Sequence, residues 1–246
     1  MTPNTPSNPI CPRVLVTAGP THEPIDRVRY IANRSSGRLG IALAGACQGL
    51  GWPCVLLLGP VGDAAVTALP KQTPPANAGG QRADDSSVRV ERFQSAADLQ
   101  ALLERHARTC DILIMAAAVA DYRPASPHPG KLPRTAEALT IALEPVPDLL
   151  AATTPQMSPG SVAIGFALEQ SLSDLDRARA KLARKGCDAI VLNPLDTMDS
   201  GQIDATILFA QGRPPLALGP LDKADFSTHL LTIANALWEA KARNAP

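Results

Sequence analysis

Residues 14–40 read V-L-V-T-A-G-P-T-H-E-P-I-D-R-V-R-Y-I-A-N-R-S-S-G-R-L-G, and here the residue types able to do chemistry crowd together. A buried strand passes into a turn-rich loop and then into a helix. The loop holds Thr17, Gly19, Thr21, Arg29, Asn33, Ser35, Ser36 and Gly37. Backbone N–H groups at a helix start, beside glycines that admit a close ligand, form a natural anion site. A phosphate-bearing ligand is therefore the leading expectation. The spacing is not that of a Walker loop, because Arg38 and Leu39 follow Gly37 where Lys and Ser or Thr are needed. Nor is it a dinucleotide fingerprint, since only Gly19 precedes Gly37 after the strand. The plainer reading, with Ser36 merely capping a helix, leaves Thr21, Arg29 and Asn33 unexplained.

Further along, D-I-L-I-M-A-A-A-V-A-D-Y-R ends a strand in small residues and then Asp121. These small residues would let a flat ring or chain lie against the backbone, and a carboxylate there accepts from an amine or hydroxyl. Ala116 to Ala118 have close helix packing as their alternative. Lys131 follows a segment containing Pro and Gly. It is either a solvated loop lysine or a flap lysine that closes over phosphates. Lys181 and Lys185 stand four apart on one helix face, with Arg177 a turn earlier. Phe166 is placed either to stack on a base or to fill the core. Asp148, in V-P-D-L-L after Val146 and Pro147 and before Leu149, is a helix N-cap in its simplest role.

Composition narrows the partners. Lys and Arg number 23 and Asp and Glu number 23, so no global field favours nucleic acid or an anionic membrane. Aromatics at 3% do not supply the stacking platforms of single-strand binders. The five cysteines make no C-x-x-C pair and read as reduced, mostly buried residues. The histidines lack zinc-ligand spacing. No apolar run is long enough for a membrane span, and the first residues lack the features of a signal peptide. A cytoplasmic protein with a disordered tail over residues 1–12 is expected.

The elements that position these residues alternate between strand and helix. Strands are expected at 13–17, 54–58, 88–93, 111–118, 162–166 and 188–193. Helices are expected at 36–50, 95–109, 148–153, 173–185 and 225–243, the first presenting Leu39, Leu43, Ala46 and Leu50. Residues 205–210 and 216–218 suit an antiparallel hairpin, and 63–87 a variable loop. The fold class is α/β: one domain over 13–246 with a doubly wound, mainly parallel, Rossmann-like three-layer sheet. Its ligands belong at the carboxyl ends of the strands, where every motif above falls.

The motifs A-G-P-T-x-E-P-I-D-x-V-R-Y-I-x-N-x-S-S-G, A-A-V-A-D-Y-R-P, K-L-x-R, P-D-L-L, G-F-A-x-E and K-L-x-R-K-G-x-D occur in this order. Together they resemble phosphopantothenoylcysteine synthetase (phosphopantothenate–cysteine ligase) over residues 13–243. The first two motifs carry most of the specificity. The resemblance implies a ligase of coenzyme A biosynthesis that joins 4′-phosphopantothenate and L-cysteine. CTP becomes CMP and pyrophosphate through an acyl-cytidylate, with magnesium accompanying the triphosphate. It implies Asn33 at the acyl-cytidylate in the second half-reaction and Lys131, on a flap over 123–135, in the first. Nucleotide contacts are implied at Met115, Ala116, Ala117, Asp121, Val146, Pro147, Asp148, Leu149, Phe166, Lys181 and Lys185. Substrate contacts are implied at Gly19, Arg29, Ser35, Ser36 and Gly37. A homodimer is implied as well, with residues 205–218 contributing.

Two departures stand out. The flap reads K-L-P-R where the bacterial type has K-I-K-K, so Pro133 and Arg134 replace lysines. The decarboxylase domain often fused to such ligases is expected to be a separate protein. The motif wording is of the bacterial, CTP-using type, while ATP stays open. A nicotinamide reductase would need a compact glycine triplet and an acidic end to the second strand, which closes instead on Leu58-Gly59-Pro60. A non-catalytic nucleotide-binding regulator would not need both Asn33 and Lys131.

Overall fold

The computed structural model describes residues 11–68, 88–169, 175–194, 201–210 and 212–243. Most of the expected tail, residues 69–87 of the expected loop, Ser173 and the side chain of Arg177 lie outside the described residues.

The N-terminal half runs β1 (Val14–Ala18), β2 (His22–Pro24), β3 (Tyr30–Ala32), α1 (Arg38–Gly49), β4 (Cys54–Leu58), α2 (Asp63–Val66), β5 (Val88–Arg92), α3 (Ala96–His106) and β6 (Ile112–Met115). It continues through β7 (Tyr122–Pro124), β8 (Leu143–Pro145), α4 (Leu149–Thr153), β9 (Val162–Glu169), α5 (Leu175–Lys185) and β10 (Ala189–Pro194). The chain closes with β11 (Gln202–Phe209), β12 (Leu216–Asp222) and α6 (Lys223–Arg243). Eight strands form one sheet in the order β12-β11-β10-β9-β6-β1-β4-β5. From β5 to β10 the pairings are parallel, while β10–β11 and β11–β12 are antiparallel. The chain reverses direction across the sheet between β1 and β6, the crevice where doubly wound folds bind ligands.

Both faces of the sheet are covered, which explains strands that are apolar at every position. Val14, Val16 and Ala18 pack with Leu43 of α1 and Phe226 and Leu230 of α6. Leu15, between them in sequence, points to the other layer with Leu103 of α3 and Leu182 of α5. The alternation is the two-residue period of a strand.

Several expectations are refined. The buried face of α1 is Gly40, Ile41, Leu43, Ala44 and Cys47, with Leu39 only half-buried and Leu50 exposed. A Cβ at Gly40 would come within 2.3 Å of the Ala18 Cβ, so glycine lets α1 rest directly on β1. Ser36 is not the N-cap of α1; Gly37 is, at φ 70°, and no side chain caps it. Ser95 does cap α3, in a reciprocal box with Asp98. The strand expected over 111–118 stops at Met115, because Ala117 and Ala118 turn their N–H groups to Thr17 Oγ1 and the Gly19 carbonyl. The C-terminal hairpin is longer than expected. Among the described residues no helix is long and apolar enough to cross a membrane.

Candidate functional site

Residues beyond the carboxyl ends of β1 and β6, with Phe166, Ala167 and Leu168 of β9 and Asn193 of β10, line a cavity of about 770 Å³, within the range of small-molecule sites. Its floor is the segment after β6. Two buried threonines fix that segment: Thr17 Oγ1 accepts from Ala117 N at 3.0 Å, and Thr21 Oγ1 accepts from Ala120 N at 3.0 Å. These threonines are structural, although their place in the loop suggested ligand contacts. Met115, Ala116, Ala117 and the exposed Asp121 all line the cavity.

One side is formed by the start of α1. Asn33, Ser35, Ser36 and Gly37 line it, together with Arg34 and Arg38. Asn33 Nδ2 donates to the Val119 carbonyl at 2.8 Å, tying this loop to the floor. Gly37 is held by its own conformation: φ is positive, and a Cβ would meet Val61 Cγ1 at 2.8 Å. The uncapped helix start, with no acidic residue in its first turn, therefore faces the cavity. Such a terminus carries partial positive charge.

The opposite side comes from α4 and α5. Val146, Pro147, Asp148, Leu149, Phe166, Lys181 and Lys185 line it, with Arg184 among them. Asp148 caps α4 by accepting from Ala151 N at 3.2 Å and also accepts from Lys185 Nζ at 2.9 Å. Burial alone would raise the Asp148 carboxyl, but the Lys185 ammonium and the Ala151 N–H hold it below its ordinary value. Phe166 sits in the middle of β9, not at its end, and is half-buried against the core.

Six cationic side chains thus face the cavity (Arg34, Arg38, Lys181, Arg184, Lys185 and Lys223) against the carboxylates of Asp121 and Asp148. In a chain whose charges balance overall, this local excess suits a polyanion. Sequence spacing did not single out Arg34, Arg38, Arg184 or Lys223. Arg34 and Arg38 flank the serine–glycine turn, a signal available in the sequence.

Three expected site residues do not line the cavity. Gly19, at φ 81°, lies beneath the loop against Gly37. Arg29 and Lys131 lie to one side and share a neighbourhood. Arg29 Nη2 donates to the Leu132 carbonyl at 2.9 Å, and its Nε donates to Asp26 Oδ2 at 3.0 Å. A second, shallower cavity of about 530 Å³ shares Asn33, Arg34 and Ser35 with the first and adds His22 and Tyr30. Those two rings stack at 3.7 Å. Burial pushes the Cys110 thiol up to about 12 and the Cys187 thiol up to about 11, so neither supplies a thiolate at neutral pH. Among the described residues no group of His, Cys, Asp and Glu is arranged to hold a metal by itself.

The family described as "DNA/pantothenate metabolism flavoprotein C-terminal domain" matches residues 11–237. The chain belongs to this family. Two curated relatives of this domain extend beyond it. It is 38% identical over 189 residues to "Cysteine/Cysteine sulfinic acid decarboxylase" of an unknown prokaryotic organism, covering 77% of this chain and 47% of that protein. It is 36% identical over 202 residues to "Coenzyme A biosynthesis bifunctional protein CoaBC" of Mycobacterium bovis, covering 78% of this chain and 44% of that protein. The chain thus spans about half the length of the curated relatives it matches. A crystal structure of the C-terminal domain of a CoaBC protein superposes with a TM-score of 0.71 at 30% identity, covering 93% of this chain and 96% of that one. Most of this chain is therefore matched by the family in sequence and by that crystal structure in fold.

Proposed function

We propose that this domain is a phosphopantothenate–cysteine ligase of the cytoplasm, joining 4′-phosphopantothenate to L-cysteine while CTP goes to CMP and pyrophosphate. The observation that carries the reading is the cation-rich cavity into which the uncapped start of α1 opens. Family membership and the likeness to CoaBC support it.

The chemistry needs two anionic reactants side by side. Lys181 and Lys185 on α5 suit the triphosphate, with the cytosine and ribose lying along residues 115–117, Asp121 and residues 146–149. The serine–glycine turn and the start of α1 suit the 4′-phosphate, and the second cavity gives room for the pantothenate chain. Attack of the pantothenate carboxylate on the α-phosphate gives the acyl-cytidylate and pyrophosphate. Phosphoryl transfer of this kind depends on positioning and on cations that meet developing charge, which is the role of Lys131. Asn33 stands where the two cavities meet and serves the second step, in which the cysteine amine displaces CMP. Magnesium arrives with the triphosphate as part of the substrate and neutralises phosphate charge. Asp121 is the cavity carboxylate best placed to share it, since Asp148 is already paired with Lys185.

The exposed edge strand β12, backed by β11, is the surface offered for a homodimer. The test of function is product formation with 4′-phosphopantothenate, cysteine, magnesium and each of the four nucleoside triphosphates. CMP and a cysteine-dependent product with CTP are expected. Absence of such a product with all four nucleotides overturns the reading.

A further inference from the structure

Outside the cavity, the most heavily used polar side chain in this region is Asp26. Its side chain is shielded from solvent, whereas its partner Arg29 is 43% exposed. Oδ1 accepts from Val28 N at 2.8 Å and Arg29 N at 2.7 Å. Oδ2 accepts from Arg29 Nε at 3.0 Å, from Arg29 Nη2, and from Leu132 N at 3.0 Å. Five N–H donors thus meet one carboxylate, about the capacity of its lone pairs. The Arg29 guanidinium, helped by the N–H groups of Val28, Arg29 and Leu132, holds the acid far below the usual carboxylate range.

These bonds join segments about a hundred residues apart in sequence. Arg29 Nη2 completes a ring by donating to the Leu132 carbonyl. Backbone bonds reinforce the contact: Arg27 N donates to the Gly130 carbonyl at 3.1 Å and His128 N to the Ile25 carbonyl at 2.9 Å. Lys131 therefore lies between two anchored residues, Gly130 and Leu132. Each arm of the joint leads to the cavity through a three-residue strand. β3 (Tyr30–Ala32) links Arg29 to Asn33, and β7 starts directly after Asp121.

We propose that Asp26 is a positioning residue that joins Arg29 and the backbone around Lys131 into one unit, setting both cations before substrate arrives. Both would otherwise sit on separate loops, each losing its own conformational freedom on binding. The roles of Arg29 and Lys131 rest on the ligase reading; the joint itself does not.

The test compares Asp26→Asn with the unaltered protein. An amide has one acceptor oxygen and turns its N–H₂ toward the donors of Arg29 or Leu132, so one arm must open. Hydrogen exchange is expected to accelerate at least about 10-fold in residues 27–32 and 126–134 and to stay unchanged in β1 and β6. No change in either segment, or equal acceleration everywhere, overturns the proposal. If Asp26→Asn does not fold, Arg29→Gln opens the same joint from its exposed end. It must then loosen residues 126–134, or the proposal fails.

The kinetic test is a cycle with Lys131→Gln, read as pyrophosphate release without cysteine. Asp26→Asn alone is expected to lower the maximal rate about 10- to 100-fold, the cost of misplacing a reacting group, and to move the CTP Michaelis constant less than about 3-fold. In the Lys131→Gln background the same substitution should cost less than about 3-fold. Full multiplication of the two losses would mean that Asp26 does not act through Lys131. If the unaltered protein turns over none of the nucleotides, the ligase reading fails, and the exchange experiment still decides the joint.

Discussion

The wall of the cavity built on the sheet and the side around Arg29 and Lys131 are held in different ways. On the wall, Met115 to Ala117 extend a fully buried strand, and Thr17 pins their backbone. Lys185 stands on α5 and is braced by Asp148 at the start of α4. On the other side two hairpins of three-residue strands, β2–β3 and β7–β8, stand outside the main sheet. Their geometry rests on two buried carboxylates, Asp26 and Glu23 (which accepts from Ala96 N at 2.9 Å), on the Arg123–Glu144 ion pair across β7 and β8, and on a few backbone bonds. The wall is therefore suited to hold a ligand already bound, and the hairpin side to bring charge to a reacting group. Loss of a wall residue should raise Michaelis constants, whereas loss on the hairpin side should lower rates.

The largest effect is expected for Lys131→Gln, with the maximal rate of pyrophosphate formation falling about 100- to 1,000-fold and CTP affinity changing little. Single-turnover cytidylate formation beside equilibrium CTP binding checks this. Lost binding at an intact saturated rate would erase the contrast between the two sides. Asn33→Asp places a carboxylate where the cavities meet, and product formation should fall about 100-fold while pyrophosphate release continues. Quenched samples should then contain accumulated acyl-cytidylate. Equal loss of both half-reactions would remove Asn33 from the second step.

Thr17→Val tests the wall itself. It strips the buried acceptor from Ala117 N, and a loss of about 1–3 kcal/mol is expected by chemical denaturation. Lys185→Gln should raise the CTP Michaelis constant about 10-fold and lower turnover less, as lost ground-state binding requires. The smallest effect concerns pH. The Asp148 carboxyl is held low, so its stabilising contribution is complete at neutral pH. It is lost as pH falls below about 4, through the ordinary carboxylate range toward its lowered value. Acid melts of Asp148→Asn should lack that component; an unchanged acid profile would remove Asp148 from the wall's bracing.

The sheet was legible because its strands are apolar runs between turn signals. The expected span 54–58 coincides with β4, and the capping Ser95 marks α3 correctly. The alternating elements implied the doubly wound order, and with it the end of the sheet where a site belongs. The short hairpins were not legible, since three residues are too few to display a two-residue period. The face of α1 was misjudged because small residues, Gly40 and Ala44, lie on its buried side, Gly40 directly against Ala18, while the larger Leu50 is exposed. Thr17 and Thr21 look like ligand contacts in a linear reading. Their burial follows from the course of residues 116–121, which depends on contacts about a hundred positions away. The joint at Asp26 was hidden for the same reason.

The cavity draws its lining from segments scattered between Asn33 and Lys223, on both sides of the reversal point of the sheet. A ligand that contacts all of these segments together binds the folded domain and not the unfolded chain, so occupancy is linked to unfolding of the whole domain. A ligand at about 100 times its dissociation constant then adds about 2.7 kcal/mol to global stability. A domain of this size translates each kcal/mol into roughly 2–4 °C of melting temperature. Simple heating in the presence of each candidate nucleotide can therefore rank its fit to the cavity without any turnover.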